Sequence, residues 1–375
     1  MAKNENMLKA KQNSFDEFYT EYQAISDEIS HYRNHQKGKV IYCNCDDPAS
    51  SNFWRYFHNN FASLGLKELI STHFVKDSEP SYSISYKGGD DFNMDCGKIT
   101  TIYGDDNYTA GDFRSKDCIE LLKKADIICT NPPFSLFDEY INQLINNNKN
   151  FIIIGKMSAI NNSDFFDLLK NNKIWLGYGF ENGNAYFKLP EDADTSKYAK
   201  GVYNPETGLV KFRNCCWYTN LDIAKRHDGL WHINGEFDKT QSHRYYEGNE
   251  EHYSNYYNLD GIDVPTIFDI PIDYKGYMGV PITIMDSYNP DEIELIGTGS
   301  QIEKTLTHTV TEAKTTISYI NKKGDIVWSC PYSVPERKIG NSLRLSENGQ
   351  PGDTPFSRII IALKNPISKS DDVGY

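Results

Sequence analysis

Four consecutive residues near the middle of the chain, Asn131-Pro132-Pro133-Phe134, combine groups that can activate an amine on an aromatic ring. Such an amine is a poor nucleophile because its lone pair is delocalised into the ring. Two acceptors that hold its N–H groups favour a pyramidal nitrogen, and the Asn131 side-chain oxygen and the Pro132 carbonyl can be those acceptors. The prolines stiffen the backbone, and Phe134 can stack on a base swung out of a duplex. These residues therefore predict a catalytic centre that acts on an exocyclic nucleobase amine.

The residues just before this tetrad predict the element that positions it. ADIICT, at residues 125–130, is a short apolar run typical of a buried strand. Such a strand would end at Thr130 and deliver the tetrad to the edge of a sheet. Asn-Pro-Pro also makes a rigid turn well, so a purely structural role at the strand end is the alternative.

Other apolar runs predict the sheet to which this strand belongs. KVIYCNC, KELISTHF and NFIIIGKMSAI alternate with helical patterns such as SLFDEYINQLI. Strands alternating with helices of about 10 to 15 residues predict an α/β fold with a mainly parallel, doubly wound sheet. Ligands of such sheets bind beyond the carboxyl ends of the strands. The segments after KVIYCNC, KELISTHF and ADIICT should therefore face one crevice.

Further segments predict what surrounds this sheet. Residues 14–33 carry apolar side chains at helical spacing, and SYSISYKGG with KITTIYG predicts a hairpin. After about residue 226 the sequence becomes rich in aromatic, Asn and Gly residues, with short β-like runs. We therefore predict two domains, over residues 1–225 and residues 226–375.

Composition bounds the class of protein. The formal net charge of −13 argues against a simple nucleic-acid-binding module, although the basic residues between 156 and 244 can still line one cleft. The chain has no run of about 18 apolar residues and no apolar core for a signal peptide at its start, so we expect a cytoplasmic protein. The eight cysteines form no CxxC pair. We expect them to be reduced, and we expect no metal site.

Together the motifs resemble one family, the EcoRI-type adenine-specific DNA methyltransferases, from about Phe15 to Gly299. The resemblance implies a Rossmann-like methyltransferase domain over residues 1–225, with S-adenosylmethionine as methyl donor, and an α+β target-recognition region over residues 226–375. It implies double-stranded DNA with a short specific site as substrate, and a cognate restriction endonuclease as a system partner that need not bind stably. The segments that carry the resemblance are FDEFYTEY, YCNCDDPASSNFWRYF, LGLKELISTHF, GDFRS, TNPPF and GVPITIMDSYNPDEIELIG.

Given this resemblance, the loop from Asp46 to Ser51 is the expected cofactor loop. It has no glycine, unlike most such loops, but its small Ala and Ser side chains permit close approach. Asp47 and Pro48 signal a helix start, and a helix that opens at Pro48 offers free amides to the methionine carboxylate. The second strand ends in Thr72-His73-Phe74 without an acidic residue, which makes Asp46 the candidate for the ribose hydroxyls. The alternative is that Asp47 and Pro48 only start a helix.

Two shorter segments resemble other parts of the family's cofactor site. Gly111-Asp112-Phe113 resembles the segment that reads the cofactor's adenine, with Asp112 accepting from its amine and Phe113 against the ring. Phe18-Tyr19-Thr20 resembles the segment that closes over the methionine end, and Asn131 is also expected beside the cofactor. The structural alternatives are a polar turn for the first segment and core packing for the second.

From these residues we predict that an adenine is flipped out of duplex DNA against Phe134, while Asn131 and the Pro132 carbonyl hold its amine. Direct in-line attack on the sulfonium methyl breaks its bond to sulfur and gives N6-methyladenine and S-adenosylhomocysteine, with no metal or covalent intermediate required. Three alternatives stay open from the sequence: an RNA amino-methyltransferase, a cytosine N4 target, and a non-catalytic DNA-binding module of the same fold.

Overall fold

The computed structural model describes most of the chain, with gaps. Residues are described with their side chains over 19–77, 79–89, 97–180, 183–189, 195–196, 198, 201–228, 253–256, 259–271, 274–300 and 357–366, and by backbone alone at 197 and over 317–320, 326–330, 344–347 and 350–353.

The chain divides into two compact units. The first contains residues 1–159 and 173–223, and the second contains residues 160–172 and 224–375. The segment 160–172 thus groups with the second unit, whereas the sequence predicts that it belongs with residues 1–225. The functions expected for the two regions stay predictions.

Helices of the first unit form where apolar side chains recur at helical spacing. In the helix Asn52–Asn59, Ser51 Oγ caps the start by accepting from Phe53 N at 3.0 Å, and Phe53 and Trp54 are buried. In chain order the helices of this unit are α1 (Tyr22–Ser30), α2 (Arg33–Gln36), α3 (Asn52–Asn59), α4 (Phe61–Leu64), α5 (Lys116–Lys124) and α6 (Phe137–Asn146).

The strands of the first unit include several short apolar runs that are buried along their whole length. In chain order the strands are β1 (Tyr19–Thr20), β2 (Val40–Cys43), β3 (Glu68–Thr72), β4 (Ser81–Tyr86), β5 (Lys98–Ile102), β6 (Ile127–Thr130), β7 (Asn150–Lys156), β8 (Trp175–Leu176), β9 (Ala185–Lys188), β10 (Tyr203–Asn204), β11 (Leu209–Phe212) and β12 (Cys215–Thr219).

The central sheet is parallel only in its middle. Among the described residues its strand order is β5-β4-β3-β2-β6-β7-β12-β8. The neighbours β3, β2, β6 and β7 pair in parallel, while β4 and β5 on one side and β12 and β8 on the other pair antiparallel. The α/β fold is confirmed, and so is the hairpin of β4 and β5. The prediction of a mainly parallel sheet is right for the four middle strands and wrong for the flanks.

A smaller antiparallel sheet contains the first described residues. Tyr19 and Thr20 pair with Lys188 and Phe187, and the described strands of this sheet follow the order β1-β9-β11-β10. The prediction of one helix over residues 14–33 is therefore wrong at Tyr19 and Thr20, because pairing with a distant strand overrides the local helical spacing. The helix α1 starts only at Tyr22.

The second unit contains a mixed sheet in the order β13-β14-β15-β21-β16, in which β14 and β15 are parallel and the other described pairs are antiparallel. Among the described residues, no helix has both the length and the apolar character that crossing a membrane requires. The elements of this unit are α7 (Ser163–Lys170), β13 (Ser254–Asn255), β14 (Gly261–Asp263), β15 (Tyr277–Pro281), β16 (Ile293–Thr298), β17 (Ile317–Ile320), β18 (Ile326–Cys330), β19 (Arg344–Glu347), β20 (Gln350–Asp353) and β21 (Arg358–Leu363).

Candidate functional site

The carboxyl ends of β2, β3 and β6 meet at one edge of the central sheet. Thr72 Oγ1 at the end of β3 donates to the Asn44 carbonyl at 3.3 Å. Cys45 N, just after β2, donates to Thr130 Oγ1 at the end of β6 at 3.1 Å. Parallel strands bring their carboxyl ends to the same edge, where α/β sheets bind ligands. The three segments that the sequence predicts to face one crevice are thus joined by hydrogen bonds.

The tetrad follows directly from β6. Asn131, Pro133 and Phe134 are half-buried and Pro132 is buried. A 3₁₀ turn begins at Phe134, and the Pro133 carbonyl accepts from Leu136 N at 3.0 Å. The ring of Phe134 therefore lies on a short rigid turn rather than on a long loop.

A lysine lies over the ring of Phe134. The ammonium of Lys156, the last residue of β7, is 5.2 Å from the ring centroid, which is the range of a cation–π contact. Lys156 is exposed. This edge of the sheet therefore presents a flat ring and a positive charge side by side.

The loop after β2 forms a tight turn before α3. The Asp47 carbonyl accepts from Ser50 N at 3.1 Å and from Ser51 N at 2.8 Å, and Asp47 Oδ1 accepts from Ala49 N at 3.0 Å. Since α3 starts at Asn52, the prediction of a helix that opens at Pro48 is wrong by four residues. Hydrogen bonds within the turn satisfy the amides of Ala49, Ser50 and Ser51, and Ser51 is the N-terminal cap of α3.

Asp47 also faces the end of β3. Its Oδ2 lies 3.6 Å from His73 Nε2, while His73 Nδ1 lies 2.9 Å from Ser81 Oγ and the imidazole stacks on Tyr82 at 5.2 Å between ring centroids. His73 thus has structural partners, and Asp47 is an acid whose carboxylate faces this imidazole just after β3.

Two buried polar atoms near this loop have no hydrogen-bond partner among the described residues. They are Thr20 Oγ1 and Asn44 Nδ2. Asn52, the first residue of α3, donates from Nδ2 to the Thr20 carbonyl at 2.8 Å, so β1 is held against the start of α3. Buried polar groups are normally satisfied. These two orphaned atoms fit a site in which a polar ligand contacts β1 and the loop after β2.

Of the other two residues predicted in the N-terminal segment, Tyr19 lies in the part of the chain that the structure describes. Tyr19 is half-buried beside Thr20 in β1, and Phe18 lies outside the described residues. The structure therefore brings Thr20 to the start of α3 and leaves the prediction for Phe18 as it stands.

Asp112 lies inside the protein, with its carboxylate bound to Arg114. Asp112 Oδ1 accepts from Arg114 N at 2.9 Å and from Arg114 Nε at 3.0 Å, and Oδ2 accepts from Arg114 Nη2 at 2.9 Å. The side chains of the pair are 1% and 6% exposed, and Arg114 also pairs with Glu139 at 3.1 Å. This geometry opposes the prediction that Asp112 accepts from the cofactor's amine, because both carboxylate oxygens already accept from Arg114.

Phe113 is buried as well. Its ring packs edge-on against Tyr140 at 5.0 Å, and its carbonyl accepts from Gln143 Nε2 at 3.0 Å. In this structure the ring of Phe113 is part of the core. The prediction that it contacts the cofactor's adenine stays a prediction.

Gly111 brings this segment against the end of β3. It has a φ of +80°, and a Cβ there would lie 2.0 Å from the His73 carbonyl oxygen and 2.6 Å from Phe74 Cα. Only glycine fits both the left-handed backbone and the close approach.

We expect Gly111→Ala to lower the free energy of unfolding by more than Gly38→Ala does, by at least about 1 kcal/mol, because overpacking adds to backbone strain. Gly38 is the matched control, since it has a φ of +74° with nothing within 4 Å of a Cβ. Urea denaturation followed by circular dichroism measures both variants. Equal losses would show that the contact with His73 is unimportant.

Three residues of this edge were not singled out from the sequence. Thr130 Oγ1 accepts from Cys45 N just after β2, Asn44 Oδ1 accepts from the Tyr140 hydroxyl in α6, and Arg114 holds Asp112. A polar residue ending an apolar strand, as Thr130 does, is a usable local signal. The partners of Asn44 and Arg114 have no such signal in the sequence.

These features define an α/β protein with a polar site at the carboxyl edge of its central sheet. The family model described as "Adenine-specific methyltransferase EcoRI" matches residues 6–333, and the chain belongs to that family. It is a site-specific adenine DNA methyltransferase. The non-catalytic module left open by the sequence is therefore excluded.

Three relatives support this assignment. The chain is 42% identical over 306 residues to the Type II methyltransferase M.EcoRI of Escherichia coli, covering 79% of this chain and 89% of the relative. It is 35% identical to the Type II methyltransferase M.MgeORF184P of Mycoplasma genitalium and 34% identical to the Type II methyltransferase M.MpnI of Mycoplasma pneumoniae, in each case over 77% of this chain and 84% of the relative. No solved structure matches the chain.

Proposed function

We propose that the protein transfers a methyl group from S-adenosylmethionine to N6 of adenine in double-stranded DNA, with the base flipped into the crevice at the end of β6. The observation that carries the proposal is the placement of Asn131-Pro132-Pro133-Phe134 at the tip of a buried strand, hydrogen-bonded to the loop after β2. Attack on a methyl group needs the amine and the donor side by side. The two adjacent strand ends provide that arrangement.

The tetrad supplies the acceptors and the stacking surface. The Asn131 side-chain oxygen and the Pro132 carbonyl hold the two N–H groups and so direct the nitrogen lone pair, and Phe134 stacks on the base. Pro133 keeps the turn rigid. S-adenosylmethionine, when bound, supplies a methyl group on a positively charged sulfur. Because that group is already activated, the residues have to orient the amine rather than generate a stronger nucleophile.

The cofactor contacts that we propose lie on β1, on the loop after β2 and at the tetrad. Thr20 is supported by its orphaned hydroxyl, and the loop from Asp47 to Ser51 is supported by its position before α3. Asn131 is the member of the tetrad that adjoins this loop. For the ribose hydroxyls we propose Asp47 in place of Asp46, because Asp47 Oδ2 points to the end of β3. Tyr19 and Pro48 are proposed as backbone neighbours of these contacts.

The second unit is the proposed target-recognition region. Its mixed sheet is separate from the strands that carry the tetrad. A cognate restriction endonuclease is the proposed system partner, as the Type II names of the relatives suggest. A DNA substrate also favours the cytoplasmic location expected from the sequence.

Methyl transfer to defined nucleic acids tests the proposal. Purified protein is incubated with tritium-labelled S-adenosylmethionine and either duplex DNA, the separated strands or RNA, and the products are digested to nucleosides for mass spectrometry. We expect label in duplex DNA as N6-methyladenine, at one sequence context when the DNA is sequenced for methylated bases. Label in RNA alone, or on cytosine, would overturn the proposed substrate.

A further inference from the structure

Both oxygens of the Asp46 carboxylate accept hydrogen bonds from within the protein. Its Oδ1 accepts from Ser51 Oγ at 2.9 Å, and its Oδ2 accepts from the Thr130 hydroxyl and, at 3.3 Å, from Asn131 N. Asp46 is half-buried. Both oxygens are thus used by protein donors, which argues against the sequence prediction that Asp46 holds the ribose.

These hydrogen bonds extend in both directions from Asp46. Ser51 also caps α3 by accepting from Phe53 N at 3.0 Å, and Ser71 Oγ in β3 donates to the Asp46 carbonyl at 2.6 Å. On the other side, Thr130 and Asn131 are the last residue of β6 and the first residue of the tetrad. A single carboxylate therefore joins the start of α3 to the first residue of the tetrad.

We propose that Asp46 is a positioning residue, which sets Asn131 relative to the cofactor loop by binding Ser51 on one oxygen and Thr130 with the Asn131 amide on the other. This inference rests on the proposed role of Asn131. Misplacement of a reacting group by about 1 Å can cost about 10²-fold in rate. A residue that holds Asn131 in register can therefore control methyl transfer without touching base or cofactor.

The arrangement requires an ionised carboxylate. Three donors point at the Asp46 carboxylate. The ionised form only accepts hydrogen bonds, whereas the protonated form carries an O–H of its own that would face one of these donors. Charge-assisted hydrogen bonds are also stronger than neutral ones. Protonation of Asp46, or replacement by Asn, places an N–H or O–H where an acceptor is needed and loosens the link to Asn131.

The surroundings of Asp46 place its titration near neutral pH. Burial raises the pKa of Asp46 to about 6, the three hydrogen bonds lower it, and the neighbouring Asp47 raises it. The other titratable groups that face it stay neutral, because burial raises the pKa of each: they are Cys43, Cys45, Cys129 and Tyr140. The transfer rate should therefore fall as the pH drops through about 6.

Acidification has opposite effects on the transfer rate and on the contribution of Asp46 to folding stability. The pKa of Asp46 is above its ordinary value of 3.8, so the folded protein binds this proton more tightly than the unfolded chain. The contribution of this group to stability is present at low pH and is lost as the pH rises through about 6. A fall in rate on acidification cannot then be attributed to unfolding caused by Asp46.

Single-turnover methyl transfer at saturating cofactor and DNA tests the proposal in Asp46→Asn and in the control Asp126→Asn. Asp126 Oδ2 accepts from Val40 N at 2.8 Å and links the same two strands at their amino ends. We expect Asp46→Asn to lower the transfer rate about 10- to 100-fold with little change in cofactor affinity, and to remove the dependence on pH near 6. Asp126→Asn should keep the wild-type rate and pH profile.

Thr130 provides a second pair of variants, which decides the matter if Asp46→Asn does not fold. Thr130→Val removes the hydroxyl that binds Asp46 and should lower the transfer rate. Thr130→Ser keeps a hydroxyl at this position and should transfer at close to the wild-type rate. The proposal is overturned if Asp46→Asn and Asp126→Asn behave alike, if Thr130→Val transfers at the wild-type rate, or if calorimetry shows that cofactor binding is lost in step with the rate. An active Asn131→Ala variant would instead refute the proposed catalytic site.

Discussion

Asn131→Ala is expected to lower the rate of methyl transfer by about 10²- to 10³-fold, the usual loss when one preorganised acceptor or donor of a transition state is removed. The variant loses the side-chain oxygen proposed to hold one N–H of the target amine. Its backbone N–H to Asp46 is retained, since alanine has the same amide. Single-turnover transfer from labelled S-adenosylmethionine into duplex DNA measures the effect.

Binding measurements separate this loss from a loss of structure. Cofactor affinity by calorimetry and DNA affinity by gel shift should both stay within about threefold of the wild type, because a group that acts mainly in the transition state contributes little to ground-state binding. Asn107→Ala, in an exposed turn, is the matched control and should transfer normally. Wild-type transfer by Asn131→Ala would refute the role of the tetrad.

The middle of the fold could be predicted because its strands are buried along their whole length. The residues of β2 and β6 read as continuous apolar runs, which is the pattern of a covered parallel sheet. The hairpin of β4 and β5 was recognisable from the turn-rich segment between them. The antiparallel pairing of β12 with β7 could not be predicted, since strand direction depends on connections that local sequence does not encode.

The sequence motif of the site could be predicted, but the hydrogen bonds between its side chains could not. Asn131-Pro132-Pro133-Phe134 is recognisable by residue type at a strand end. The link from Asp46 to Thr130 spans 84 residues, and Asp112 binds an arginine two residues away that a three-residue motif does not include. In both cases an acidic residue expected to meet a ligand is used by the protein itself. Burial and partners decide the role of a carboxylate, and neither is visible in its spacing.

The second unit contains a buried ion pair at the centre of its sheet. Arg358 Nε donates to Asp263 Oδ1 at 2.7 Å and Nη2 donates to Oδ2 at 3.1 Å, while the Tyr256 hydroxyl donates to Oδ1 at 2.5 Å. The side chains of Arg358 and Asp263 are 2% and 9% exposed. Burial lowers the pKa of Arg358, but its hydrogen bonds and the charge of Asp263 raise it above its ordinary value. Arg358 is therefore charged, and two of its guanidinium N–H groups are bound to the Asp263 carboxylate.

Arg358→Met should destabilise the second unit by about 3 to 5 kcal/mol, because Asp263 is left as a buried charge without its cation. Hydrogen exchange followed by mass spectrometry should show faster exchange in β14, β15 and β21, with β2 and β6 unchanged. The double variant Arg358→Met with Asp263→Asn removes the charge and keeps an acceptor for Tyr256, so it should recover most of the loss.

If the second unit recognises the target, Arg358→Met will also lose transfer to DNA while the first unit still binds the cofactor. Unchanged exchange in β21 would contradict the importance of the pair, and normal transfer by a locally unfolded variant would contradict the recognition role.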